Sequence, residues 1–216
     1  IVRLHTDEGV TGIGESFYRS VEDNRFLAES IEALGRHVIG EDPRQATAHW
    51  HEIYLHAKRS GGYGALSALN SAMWDVKGKA VGAPVYELLG GQCGELSAYA
   101  TFPAEKTPDE LVESAEWLAE KGFYAMKIGA GFGVEEDGER IRTVMNRIPD
   151  DFGLAIDANT SYEYDDALRV AEIASEYGCE WFEEPISHTD IQGQAELNSS
   201  VSVPISGYQT HTPHYP

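Results

Sequence analysis

At 216 residues the chain is long enough for one large domain or two small ones. Its 16 Lys+Arg against 36 Asp+Glu give a formal net charge of -20, which repels nucleic-acid phosphates and anionic membrane surfaces, so neither is an expected partner. Its two cysteines, Cys93 and Cys179, are spaced neither as metal ligands nor as a disulfide framework. No run approaches the roughly 18 apolar residues of a bilayer span. A cytoplasmic protein is expected. The acid is dispersed (Glu135-Glu136-Asp137, Asp150-Asp151, Asp165-Asp166). It reads as a solvated acidic surface, of the kind a halophilic cytoplasm favours.

Residues 1–15 alternate apolar and polar about a turn at Asp7-Glu8-Gly9, the pattern of a β-hairpin. The Gly12/Gly14 pair lacks the third glycine and following helix of a nucleotide loop. The chain opens in mid-pattern at Ile1 without Met, so a missing N-terminal segment is expected. Helical spacing predicts helices over 21–39, 45–57 and 63–80. In the last of these Ala65, Ala68, Leu69, Ala72, Met73 and Val76 form one apolar stripe. Pro84 and Gly90-Gly91 close a first domain, set at residues 1–95.

The rhythm changes in the second domain, residues 96–216. A strand is expected over 96–101. A helix then begins at Thr107, with Pro108 at its first turn and Glu110 as reciprocal cap partner, and ends at Gly122. Strand 123–128, helix 135–148, strand 152–157, helix 164–177, strand 180–183, a short helix near 190–198 and strand 201–205 follow. Strands alternating with helices of 10–15 residues specify βαβ units and a parallel sheet, so the fold class is α/β. About five strands fit here, whereas a full (β/α)8 barrel needs roughly 200–250 residues. An incomplete (β/α) barrel, its C-terminal strands missing, is expected.

Three strand ends carry charge. Lys127 closes one apolar run. Asp157 closes the next, with Asn159 just beyond it, and Glu183 closes a third, followed by Glu184 and Pro185. In a barrel of this kind the C-terminal strand ends converge on one mouth, where active sites are built. One cation and two anions delivered there suit a divalent metal together with a small-molecule carboxylate substrate. Asp157 could instead be a turn residue bonded to Asn159, and Lys127 and Glu183 could be surface charges.

The stretches Val10-Thr-Gly-Ile-Gly-Glu-Ser16, Ala68 to Lys79, Gly82 to Gly91, Gly122 to Lys127, Ile156-Asp-Ala-Asn159 and Phe182-Glu-Glu-Pro185 together resemble the enolase superfamily, in its mandelate racemase/muconate lactonizing enzyme branch. The resemblance covers nearly the whole chain. It implies an N-terminal α+β capping domain, here partial, ahead of the barrel, and a homo-oligomer when complete. It also implies a shared first step: Mg2+ holds the substrate carboxylate while a base removes the α-proton, giving a metal-stabilised enediolate.

By the same resemblance Asp157 and Glu183 are the first two metal ligands, with Glu184 an outer partner. Lys127 is the catalytic lysine that contacts the substrate carboxylate and lowers the pKa of the base. Two positions depart from the branch's pattern. Gly129 stands where a second lysine often acts as base. Tyr208, or Gln209 if the alignment slips by one, stands where a third ligand, Glu, is usual. His211 and His214 lie close by. Tyr18, Arg19, Lys58 and Arg59 fall on loops that cover the barrel mouth in the branch, and with Asn159, Tyr208 and His211 they are candidate substrate contacts.

Losing one of two opposed bases is most damaging to racemisation, which needs a base on each face. The expected reaction is therefore Mg2+-dependent dehydration of an aldonate or aldarate to a 2-keto-3-deoxy acid. A racemase, an epimerase, a cycloisomerase, and a catalytically impaired homologue or fragment are the alternatives.

Overall fold

The structure, a computed structural model, describes residues 1–16, 21–102 and 107–207. Two compact units divide it, Ile1–Gly94 and Glu95–Pro216.

In the first unit, β1 (Val2–His5) and β2 (Thr11–Gly14) form an antiparallel hairpin with Val2 opposite Gly14. The α-helices α1 (Val21–Gly35), α2 (Ala46–Ser60), α3 (Tyr63–Val81) and the single turn α4 (Val85–Leu88) follow among the described residues. All six residues of the stripe predicted for α3 are buried. The hairpin lies directly on that helix. A Cβ added at Gly14 would come within 2.0 Å of the Ala68 carbonyl oxygen, and one at Gly12 within 2.1 Å of that of Ala72. The glycine pair therefore exists to let backbone approach backbone. The contact is also tied by charge. Asp75 Oδ2 accepts from the Ile13 amide at 2.7 Å and from Lys79 Nζ at 2.7 Å, and Lys79 donates to the Thr11 carbonyl at 2.8 Å. The Lys79 bond is the leading cause that holds the Asp75 carboxyl below its ordinary range.

The helix expected over 21–39 ends at Gly35, a poor helix former, and 36–40 continue as turns. Val38 keeps its buried place from the turn, beside Ala46 and Met73. Helix α4, four residues long, has no periodicity to reveal it.

The second unit is a parallel sheet in the order β3 (Tyr99–Phe102), β4 (Ala125–Gly129), β5 (Gly153–Asp157), β6 (Phe182–Glu183) and β7 (Ile205–Ser206). Helices α5 (Pro108–Glu120), α6 (Val134–Met145), α7 (Tyr164–Glu176) and α8 (Ile191–Ser200) link successive strands. Residues 125–128 and 154–156 are buried without alternation, as expected for strands covered on both faces. Each fully buried large side chain, such as Leu154 or Phe182, contributes about 1.5–3 kcal/mol. Helix α7 faces the sheet with Ala167, Val170, Ala171 and Ala174, a three-and-four spacing. Helix α5 starts as its sequence predicts: Thr107 Oγ1 accepts from the Glu110 amide, and the Glu110 carboxylate accepts from the Thr107 amide at 2.8 Å.

Strand boundaries shift where pairing decides them. Leu96 is 92% exposed, and β3 begins only at Tyr99, which is paired with Ala125, the first residue of β4. The last strand, expected over 201–205, starts at Ile205. Pro204 has no amide to donate, and the Val203 amide is taken by Ser175 Oγ at 3.0 Å.

Candidate active site

Strand register places the charged residues. Gly129, Asp157, Glu183 and Ser206 form one row across β4 to β7. Lys127 is two residues back along β4, a step of about 6.6 Å, and its long side chain reaches forward. Its Nζ donates to Asp157 Oδ2 at 2.9 Å and to Glu183 Oε2 at 2.8 Å. The three predicted residues thus meet in one ion-pair triangle. Lys127 is 8% exposed, and the side chains of Asp157 and Glu183 are 13% and 16% exposed. Burial works against the Lys127 ammonium. The hydrogen bonds and charges of Glu183 and Asp157 together outweigh it and hold the ammonium above its ordinary range.

The carboxylates are aimed by neighbours. The Asn159 amide donates to Asp157 Oδ1 at 3.0 Å, and Trp181 Nε1 donates to Glu183 Oε2 at 3.1 Å. Asn159, Thr160 and Glu184 have φ of 47°, 63° and 46°, three non-glycine residues in the left-handed region, just past the two strand ends. Strain of this kind costs about 1–3 kcal/mol per residue and persists only where surrounding contacts enforce it. Here the enforcing contacts are backbone bonds: Ala130 N to Asp157 O at 2.7 Å, Ala158 N to Glu183 O at 3.0 Å, and Thr160 N to Glu184 O at 2.7 Å.

Asp137 corrects the reading of Glu135-Glu136-Asp137 as a solvated acidic run. It is 2% exposed. Its Oδ2 accepts from the Gly131 and Phe132 amides at 2.6 and 3.1 Å and from the Tyr162 hydroxyl. Arg140 Nη1 stands 3.5 Å from Asp137 Oδ1 and donates to the Gly129 carbonyl at 2.9 Å. Burial, reinforced by Asp137, keeps the Tyr162 phenol far above its ordinary range, so it is a proton donor at neutral pH. One cue was available in the sequence: with Arg140, Ile141 and Val144, Asp137 continues the three- and four-residue spacing of the buried face of α6.

Glu184 is buried at 2% exposure. Asn159 is exposed beside Asp157, and Lys58 and Arg59 are exposed in the last turn of α2. Tyr18, Arg19, Tyr208, Gln209, His211 and His214 lie outside the described residues. Burial pushes the Cys179 thiol up to about 12, which leaves it protonated and unreactive.

Among the described residues no three His, Cys, Asp or Glu side chains cluster as a metal site. Two carboxylates on adjacent strands, already gripping one cation, nevertheless suit Mg2+. It takes hard oxygen donors and commonly keeps water or substrate in its remaining positions.

Comparison with known proteins agrees with this architecture. Residues 1–90 match the mandelate racemase/muconate lactonizing enzyme N-terminal domain, and residues 110–214 match the enolase C-terminal domain-like family. A D-galactarolactone cycloisomerase of Agrobacterium fabrum is 36% identical, over 97% of this chain and 57% of its own length. An arabinonate dehydratase of Saccharolobus solfataricus is 29% identical, over 96% and 57%. The crystal structure of a Streptomyces coelicolor racemase with bound magnesium superposes with a TM-score of 0.86 at 27% identity, covering 95% of this chain and 63% of that one. The chain belongs to the enolase superfamily, in its mandelate racemase/muconate lactonizing enzyme branch. Its relatives are enzymes, both dehydratases and isomerases, and it spans just over half the length of the two curated relatives above.

Proposed function

We propose that this chain carries the metal- and carboxylate-binding end of an acid-sugar dehydratase. The substrate is an aldonate or aldarate. A base takes the proton from the carbon α to the carboxylate, the β-hydroxyl leaves as water, and the enol so formed tautomerises to a 2-keto-3-deoxy acid. The observation that carries this reading is the Lys127–Asp157–Glu183 triangle, one ammonium 2.9 and 2.8 Å from two carboxylates at adjacent strand ends.

Asp157 and Glu183 would hold Mg2+, which when bound neutralises charge developing on the substrate carboxylate. Lys127, kept protonated by its surroundings, donates to a carboxylate oxygen of the substrate. Asn159 and Trp181 keep the two ligand carboxylates oriented. Gly129 has no side chain to accept a proton, so the base is supplied from elsewhere in the protein. One-sided proton traffic favours elimination over racemisation, because one acid/base group can take the α-proton and protonate the departing hydroxyl.

A second reading is a cycloisomerase of the same acid sugars. The higher identity to the A. fabrum cycloisomerase, 36% against 29% for the dehydratase, favours it. A panel of aldonates, aldarates and their lactones, incubated with Mg2+ in D2O, separates the two. Release of a 2-keto-3-deoxy acid and water, with solvent deuterium taken up at C3 as the enol tautomerises, supports the dehydratase. Isomerisation without water loss supports the cycloisomerase. No loss of the α-proton from any acid sugar overturns both. Asp157→Asn is expected to abolish turnover and leave the far-UV circular dichroism unchanged; wild-type kcat in that variant would overturn the metal assignment.

A further inference from the structure

We propose that Tyr162 and Asp137 are positioning residues. They form a latch that ties the loop after β4 to the loop after β5 and, through the Asn159 amide, aims the carboxylate of Asp157. The inference rests on the reading that Asp157 holds a divalent cation.

The latch begins with the helix that follows β4. Asp137, in the first turn of α6, collects the amides of Gly131 and Phe132 on one oxygen, which folds residues 130–133 over the helix start. The same oxygen takes the hydroxyl of Tyr162, a residue of the following loop that is 7% exposed. The loops also touch directly: a Cβ at Gly131, whose φ is +106°, would fall 2.8 Å from Ser161 Cβ and Oγ.

Residues 158–162 are pinned on their other side. Ala158 N, Thr160 N and Tyr162 N donate to the carbonyls of Glu183, Glu184 and Pro185 at 3.0, 2.7 and 3.2 Å. Between these pins stand Asn159 and Thr160, both left-handed. L-residues leave that region unless held. The Asn159 amide points at Asp157 Oδ1 only while this conformation lasts. Removing the Tyr162 hydroxyl removes one of the holds without touching Asp157.

The experiment uses Mn2+ as probe, its free concentration read by electron paramagnetic resonance. Wild-type binding should vanish in Asp157→Asn. In Tyr162→Phe it should weaken about three- to tenfold, at or below the 10–100-fold range for losing a direct partner of a ligand. Backbone amide exchange at Gly131 and Phe132 should accelerate in the same variant. Val170→Ala, a truncation of a buried α7 side chain, should lower thermal stability and leave Mn2+ affinity unchanged. Tyr162→Phe binding Mn2+ as tightly as wild type would overturn the latch. So would a matching loss of affinity in Val170→Ala, or rapid exchange of the Gly131 and Phe132 amides in the wild type, a measurement that needs no variant. A wild type with no Asp157-dependent binding would overturn the site reading, and the latch with it.

Discussion

Replacing Lys127 by Met removes the cation that two nearly buried carboxylates share. Deleting one partner of a buried pair costs about 3–5 kcal/mol, because the remaining charge is left uncompensated. Here the side chains of Asp157 and Glu183 keep 13% and 16% exposure, so water recovers part of the loss and about 3 kcal/mol is expected at the lower end of that range. In a chain of this size 1 kcal/mol moves a melting temperature by about 2–4 °C, so the variant in EDTA should melt about 6–12 °C below wild type. Magnesium should then separate the two proteins. A cation bound at 100 times its Kd stabilises by about 2.7 kcal/mol. Lys127→Met, whose carboxylates have lost their counter-charge, should gain more from Mg2+ than wild type, where an ammonium already occupies them. Circular dichroism melts in EDTA and across a Mg2+ titration read both effects. Equal melting temperatures in EDTA, or equal gains from Mg2+, would refute the argument.

The same triangle sets an alkaline limit. The Lys127 pKa is raised by folding, so its contribution is whole below the unfolded value of about 10.5 and is lost as pH climbs through the higher folded value. Urea midpoints measured at rising pH should fall above that point in wild type and less steeply in Lys127→Met. Gly14→Ala drives a methyl into the Ala68 carbonyl, 2.0 Å away. Neither backbone can yield cheaply, so a loss of about 2–3 kcal/mol is expected for residues 1–94, with faster proteolysis of the hairpin as the readout. Thr107→Ala removes the side-chain half of the cap on α5, the Oγ1 that accepts from the Glu110 amide, while the backbone amide at 107 can still donate to the Glu110 carboxylate; it should cost about 1 kcal/mol in urea unfolding.

The triangle was legible in the sequence because parallel strands present their C-terminal ends to a common edge, where Asp157 and Glu183 end theirs and the Lys127 side chain arrives from two residues short of Gly129. Lys127, Asp157 and Glu183 each closed an apolar run, and register then brought them together. Segment ends were less legible. Leu96 has high strand propensity but no partner strand, and Pro204 cannot donate to one. The missing partner strand at Leu96 and the Ser175 hydroxyl that takes the Val203 amide are distant in sequence, whereas the proline at 204 is a local signal. Asp137 was hidden for another reason. Its charge matched the acidic residues on either side of it in sequence, and only the helical phase of α6 distinguishes the buried carboxylate from the wet ones. Glu184 shows the same limit: it follows Glu183 directly, yet at 2% exposure it is almost fully buried. The purpose of the Gly12/Gly14 pair, close contact with α3, is visible only in the fold.

The parallel sheet also bears on how the chain can assemble. Tyr99 pairs with Ala125, Ala125 with Gly153, Ile156 with Phe182 and Phe182 with Ile205, steps of 26, 28, 26 and 23 residues. Loop-closure entropy grows only logarithmically with length, so the four pairings carry nearly the same closure cost and no strand must wait for a remote partner. A chain leaving the ribosome from its N-terminus can add one strand–helix unit at a time, each new strand docking on the one made just before. Folding and synthesis then proceed in the same direction, and the newest edge strand is the surface most in need of protection at every stage.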